Sequence, residues 1–342
     1  MKEAMLYQRL ERGAVRCSLC SHRCTIQDGK TGVCRVRQNT GGTLYSLVYG
    51  QLQAQHIDPI EKKPLFHYYP GTPSYSIATV GCNFRCSFCQ NWQLSQSARE
   101  FGQIKGRETT PEEIVSAASR SRCRTIAYTY SEPTIYFEYA YDIMRLAYDR
   151  KIDNVFVTNG FMTAETLETA HPYLGALNID LKCFRDETYR KVMHGRLQPV
   201  LDSIRLAKNL GYWVEVTTLL VPGANDDPGE IRDIAKFVCS VGQEIPWHIS
   251  AFHPNYRMTD RSRTPVSLIR NAVDIGKDAG LRYVYAGNVP GDPTESTRCY
   301  ACGHVVIERF GFSVTGSSLR GSSCAKCGSP IDGVGLESLG ER

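Results

Sequence analysis

Cysteine placement constrains this chain more than any other feature. Fourteen cysteines occur in 342 residues, and eleven of them fall in three compact groups. Cys17, Cys20, Cys24 and Cys34 lie in CSLCSHRCTIQDGKTGVC, and Cys82, Cys86 and Cys89 lie in GCNFRCSFCQNW. Cys299, Cys302, Cys324 and Cys327 form two C-x2-C pairs, while Cys123, Cys183 and Cys239 stand alone. The length argues against a small secreted disulfide scaffold. The Met-Lys-Glu start carries no apolar leader, so a cytoplasmic location is expected. No apolar run reaches the roughly 18 residues that a membrane span needs, so no membrane partner is expected. Clustered thiols in a reducing compartment point to metal. The net charge of +5 is too small to argue by itself for nucleic acid or membrane.

Each group implies its own chemistry. In the C-terminal group each C-x2-C turn is followed by Gly303 or Gly328, as in the knuckles of a zinc ribbon. Four thiolates suit structural zinc, although a rubredoxin-type iron site uses similar knuckles. The intervening HVVIERFGFSVTG alternates as a hairpin does. The middle group has three cysteines and no close fourth. Three thiolates would ligate three irons of a [4Fe–4S] cube and leave the fourth open to a small molecule. The rival reading is an incomplete zinc knuckle completed by a distant His. The N-terminal four, with His22 nearby, suit either a structural zinc or a second iron–sulfur cluster. Cys123 and Cys239 read as small buried apolar residues. Cys183 follows Lys182, and a hydrogen-donor or tethering role is open to it.

From about Ser74 to Gly287 the chain alternates between β and α patterns. SYSIATV, TIAYTY, NVFVTNG, ALNIDLK, WVEVTTLLVPG, PWHISAF and LRYVYAG read as strands. TPEEIVSAASR opens on a Thr110 cap, with Pro111 at the first helical position and Glu113 completing a capping box. PTIYFEYAYDIMRLAYDR reads as one long helix and MTAETLETAHPYL as another. QPVLDSIRLAKNLG, DDPGEIRDIAKFVCSVG and SLIRNAVDIGKDAG complete the helices. The expected fold is α/β, a partial (β/α)6 TIM-like barrel. The expected division is an N-terminal Cys-rich lobe (1–70), the barrel (71–292) and a C-terminal zinc-ribbon-like module (293–342). DPIEKKPLF reads as a solvated mixed-charge loop. Its flanking His56 and His67, with Phe66, Tyr68 and Tyr69, either form a lid over the cluster or, as the stronger expectation, line the junction of N-terminal lobe and barrel.

The C-x3-C-x2-C loop, with Phe88 before the last cysteine, resembles the signature of the radical S-adenosylmethionine (SAM) superfamily. The N-terminal C-x2-C-x3-C-x9-C segment, DPIEKKPLFHYYPG, YSEPT, DLK and the terminal GSPIDGVG extend the likeness. They resemble the AmmeMemoRadiSam-system radical SAM enzymes, relatives of the pyruvate-formate-lyase-activating type. The resemblance implies a [4Fe–4S] cluster on Cys82, Cys86 and Cys89 that binds SAM. It implies reductive cleavage to methionine and a 5′-deoxyadenosyl radical, which takes a hydrogen atom from a protein or peptide. Glu132 falls where the family carries Gly-Gly-Glu, so its carboxylate is expected to receive the methionine ammonium. Tyr130 and Ser131 replace the two glycines. Thr158-Asn159-Gly160 either contacts ribose or substrate or is an ordinary turn. Asp180 and Lys182 share a strand face and either pair or hold methionine carboxylate and ribose. LLVPGANDD resembles the activases' turn near adenine. His248 and His253 stand at the sixth strand end, where a structural hydrogen-bonding role is the stronger expectation. The implied partners are an electron donor such as flavodoxin or ferredoxin, and Memo-type or AMME-type proteins. Two other readings stand beside this one. RSRCR and the Arg257–Arg263 stretch would suit an RNA-modifying radical enzyme, although nucleic acid is not the expected partner. The terminal cysteine groups would suit a non-enzymatic zinc scaffold.

Overall fold

The structure is a computed structural model and describes residues 1–340. Its main sheet has eight strands in an order that follows the chain. They are β1 (Ala54–Pro59), β2 (Pro73–Ala78), β3 (Thr125–Tyr128), β4 (Asp153–Thr158), β5 (Ala176–Asp180), β6 (Trp213–Leu220), β7 (Trp247–Ala251) and β8 (Val284–Gly287). β2 to β8 are parallel, and β1 pairs antiparallel with β2 along one edge. The crossovers carry α1 (Pro111–Arg120), α2 (Phe137–Asp149), α3 (Ala164–Ala170), α4 (Leu197–Asn209), α5 (Pro228–Val241) and α6 (Val266–Asp278). Ile77, Phe156, Leu177, Ile179, Val216 and Ile249 are fully buried, as strands covered on both faces require.

The local signals explain most boundaries. The Thr110 side chain accepts from Glu113 N, and the Glu113 carboxylate accepts from Thr110 N. The helix expected from Pro133 onward divides. Pro133–Tyr136 forms a 3-10 turn, and α2 begins only at Phe137. Glu132 captures Thr134 N with its side chain, and Tyr136 leaves helical geometry with ψ of 35°. The next helix is shorter than its sequence suggests. Met162 bridges to Cys20, Thr163 caps the start, and Pro172 forbids continuation beyond His171.

Two small three-stranded sheets precede the main sheet. One joins Lys2–Glu3, Arg37–Thr40 and Thr43–Ser46, and the other joins Tyr7–Arg9, Val15–Cys17 and Thr25–Ile26. A buried pair anchors this lobe to α2. The Arg37 guanidinium donates two hydrogen bonds to the Glu138 carboxylate, at 2.8 and 2.9 Å. At the other end, Val305–Phe310 and Ser313–Ser317 form the expected hairpin, with Thr297–Arg298 beside it.

DPIEKKPLF is not a solvated loop. Asp58, Glu61 and Lys63 are buried, with Lys63 Nζ donating to Asp58 Oδ2 at 2.6 Å. Glu61 lies 3.5 Å from Arg309 Nε, with neither side chain exposed. Arg309 also donates to Phe66 O and Thr297 Oγ1 and stacks over Phe66. His67 donates through its backbone N–H to Glu215, and its ring contacts Asp332 O and the Tyr285 hydroxyl. This segment therefore packs on the strands through Tyr130, Asn178 and Glu215, as expected of a junction, and it also joins them to the C-terminal hairpin through Arg309. Charge density in sequence cannot distinguish solvated groups from groups that neutralise one another when buried.

Candidate active site

One cavity of about 590 Å³ lies at the C-terminal ends of the parallel strands, where such folds gather their sites. Cys82, Cys86, Cys89, Glu132, Asn159, Asp180 and Lys182 all line it. The structure thus brings the three loop cysteines and these four polar residues together on one cavity.

The loop leaves β2 through Gly81, whose φ of +106° few other residues adopt. A Cβ there would lie 2.8 Å from Val36 Cγ1. The loop backbone is pinned by Arg85 N to Met193 O at 2.9 Å and by Arg257 N to Ser87 O at 3.1 Å. Phe84 anchors it in an aromatic cluster, with its ring 5.0 Å from that of Phe161. Cys82 Sγ accepts from Phe84 N, and Cys89 Sγ lies 3.1 Å from Ser95 Oγ. Burial raises the Cys86 thiol to about 12, so its thiolate requires a positive partner such as a metal.

Glu132 is the best-braced acid of the cavity. Its Oε1 accepts from Thr134 N, Thr134 Oγ1 and Thr158 Oγ1, while Oε2 accepts from Asn159 N at 2.9 Å. Burial shifts its pKa upward in spite of these donors. Oε2 accepts one bond and keeps capacity for a ligand's N–H. Asn159 serves as the tie. Its side chain donates to Asn83 Oδ1 at 2.7 Å, coupling the cysteine loop to the Glu132 shelf. Tyr130 stands where the resembled motif has glycine, and its φ of +61° lies in the left-handed region that favours glycine. Its hydroxyl donates to Asp58, and Lys63 Nζ sits 4.7 Å from its ring centroid. The missing glycine is thereby replaced by a tethered aromatic.

Lys182 Nζ donates to Asp180 Oδ2 at 2.7 Å. Burial alone would lower the Lys182 pKa, but Asp180 and the Cys86 thiol raise it on balance. Sequence reasoning missed Asn225, which donates to Lys182 O at 2.6 Å and to Leu219 O, and accepts from Val221 N. Val221, Pro222 and Gly223 do not line the cavity, whereas Leu219 does. Ser131, Ser95, Asn288 and Phe312 also line it. The exposed Phe310 and Phe312 flanking Gly311 were the available signal for a hairpin tip at the mouth. His248 and His253 both reach the lining, and His248 is held by Glu215 at 2.6 Å. Cys183 is buried and does not line the cavity. Of the buried polar atoms without a partner among the described residues, Ser131 Oγ belongs to the cavity lining and Asn83 Nδ2 to the cysteine loop. Three thiols, an acid with spare acceptor capacity and unpaired polar atoms fit a bound cluster and a polar cosubstrate.

The other two cysteine groups differ from each other. The Cys299 and Cys327 sulfurs lie 3.6 Å apart, those of Cys302 and Cys324 lie 3.8 Å apart, and all four fall within 4.8 Å of one another. This set can hold one metal ion. Cys17, Cys20, Cys24 and Cys34 instead surround a small cavity at the boundary with the barrel.

Comparison with known proteins agrees with this geometry. The radical SAM superfamily profile matches residues 76–238, from within β2 to within α5. An uncharacterised protein of Methanocaldococcus jannaschii is 45% identical over 97% of this chain and 99% of its own length. A probable GTP 3′,8-cyclase of Thermococcus kodakarensis is 31% identical over 48% of this chain and 52% of its own, so the chain spans about half of that relative. A putative glycyl-radical enzyme activating enzyme of Methanocaldococcus jannaschii is 28% identical over 50% of this chain and 70% of its own. A radical SAM methyltransferase from Sphaerobacter thermophilus shares the fold, with TM-score 0.52 and 17% identity over 65% of this chain and 68% of that one. Among the described residues no helix is long and apolar enough to cross a membrane. A profile match that begins just before the cysteine loop, with a relative alike along almost the whole chain, makes this protein an enzyme of the radical SAM superfamily.

Proposed function

We propose that this enzyme reductively cleaves SAM at the three-cysteine loop and abstracts a hydrogen atom from a protein or peptide. The observation that carries the proposal is the convergence of Cys82, Cys86 and Cys89 with Glu132, Asn159, Asp180 and Lys182 on one cavity. When bound, the [4Fe–4S] cluster supplies the electron that opens the sulfonium. The chain's own residues then bind and orient. Glu132 Oε2 accepts the methionine ammonium. Lys182 holds the carboxylate while remaining paired with Asp180, whose free oxygen accepts a ribose hydroxyl. Asn159 keeps the cysteine loop and Glu132 in register. The aromatic rings of Phe84 and Phe88 shield the loop.

In this reading the sheet is a partial barrel, open between β1 and β8, and residues 1–70, 71–292 and 293–342 act as three modules. The opening admits a protein segment, and the exposed Phe310–Phe312 tip stands beside it. The likeness to a glycyl-radical enzyme activating enzyme supports this substrate class. The subfamily reading is the AmmeMemoRadiSam type, which makes Memo-type and AMME-type proteins the first partners to try and flavodoxin or ferredoxin the first donors. The C-terminal site is read as structural zinc. Zinc–sulfur bonds of about 2.3 Å place sulfurs about 3.8 Å apart in a tetrahedron, close to the spacings found.

Anaerobic reconstitution followed by dithionite reduction with SAM tests the proposal. 5′-Deoxyadenosine should form, and Cys86→Ala should abolish it. Product formation that survives Cys86→Ala would falsify the assignment. Anaerobic co-purification with mass spectrometry of the captured protein then tests the substrate class, expecting a modified residue.

A further inference from the structure

The N-terminal thiols differ from the C-terminal ones in how far they converge. Among the described residues, Cys299, Cys302, Cys324 and Cys327 are the set whose sulfurs meet at single-ion distance. Neither Cys82, Cys86 and Cys89 nor Cys17, Cys20, Cys24 and Cys34 forms such a set. Even so, the N-terminal four all line one cavity, together with Leu19, Ile26, Thr134, Ile135 and Arg37. The space between them admits a water-sized sphere. A tetrahedral zinc shell, with sulfurs about 2.3 Å from the ion, leaves no such space at its centre. In a cube each thiolate meets a different iron, so the sulfurs stand apart around a filled interior.

A second observation points the same way. Arg37 is 2% exposed, and its Nε is buried without a partner although both terminal nitrogens donate to Glu138. A buried N–H donor beside four thiols fits an anionic group with sulfur acceptors.

We infer that Cys17, Cys20, Cys24 and Cys34 hold a second [4Fe–4S] cluster, with all four irons ligated by protein. It has no open iron and therefore binds no SAM. The cradle touches the catalytic shelf directly. Thr134, which lines it, donates to Glu132, and Cys34 O would lie 3.5 Å from a Cβ on Gly81, the residue before Cys82. The comparison with the Cys82 loop rests on the function proposed above, whereas the cavity and the Arg37 donor do not.

Metal and sulfide analysis of the full chain after anaerobic reconstitution tests the inference. The wild type should hold about eight irons and matching sulfide, and each cluster variant about four. The variants are Cys17→Ser with Cys34→Ser, and Cys82→Ser with Cys86→Ser and Cys89→Ser. Circular dichroism confirms that each is folded. After reduction, the second variant should retain the low-temperature electron paramagnetic resonance signal of a cube. Iron of about four in the wild type, with zinc rather than iron lost from the first variant, overturns the inference and leaves the proposed function standing. Iron that is unchanged in the second variant overturns the proposed function instead.

Discussion

Lys182 Nζ lies 2.7 Å from Asp180 Oδ2 at the end of β5, with the Phe88 ring of the cysteine loop 6.0 Å from the ammonium. The ammonium is therefore already oriented, and Asn225 fixes the backbone beneath it. Lys182→Met should weaken SAM binding by at least about tenfold, in line with about 1.5–3 kcal/mol for a charged hydrogen bond. Equilibrium binding to the reconstituted enzyme measures this, with iron content as the control. An unchanged affinity at full iron content would remove Lys182 from the SAM site.

Gly81 permits both the turn into the cysteine loop and its close approach to Val36. Gly81→Ala combines a strained backbone with a clash against a buried side chain. Iron incorporation at the open site should fall at least severalfold while the chain remains folded. Gly81→Ala with Val36→Ala removes the clash but not the strain, so it should restore iron only in part. Normal loading of the single variant would show that the loop tolerates displacement.

Asp58 carries a pH signature. Burial would raise its pKa, but hydrogen bonds from Lys63, Tyr130 and Lys62 outweigh burial and hold the carboxyl well below the usual range. A depressed carboxylate stabilises the fold above its unfolded value of about 3.9, and that stability is lost as pH falls. Asp58→Asn leaves Lys63 buried without its counter-ion and should cost about 3–5 kcal/mol at neutral pH. Urea unfolding of both proteins in the same metal state should show the gap narrowing below about pH 4. A gap that is constant with pH would assign the loss to packing.

Arg309 joins the C-terminal hairpin to Glu61 and Phe66. Arg309→Ala strands the buried Glu61 carboxylate, and should destabilise the docked module by about 3–5 kcal/mol. Limited proteolysis should then cut before the ribbon, near residue 290, much faster than in the wild type. Arg309→Ala with Glu61→Gln should recover part of the resistance. Equal cutting rates in wild type and Arg309→Ala would show that the pair does not hold the module.

The order of elements was legible because periodicity and caps are local. Each of the seven expected strands occurs within a few residues of its place, and the capping box at Thr110 forms as its residues suggest. The three-cysteine loop could be read because metal ligation by a short loop is itself local. The helix after Pro133 misled because a distant demand overrides its periodicity. Glu132 must turn to meet Thr158 and Asn159, and the first turn tightens as a result.

By itself the sequence determined which elements form, in what order, and that three thiols without a fourth lie at the end of the first parallel strand. Tertiary structure decided everything that depends on distance across the fold. It turned Asp58, Glu61 and Lys63 from a charged run into buried groups, because Tyr130 and Arg309, which meet Asp58 and Glu61, lie far along the chain. It also separated two cysteine quartets of equal count. One converges to the spacing of a single ion, and the other surrounds a void, a difference that residue spacing along a chain does not encode.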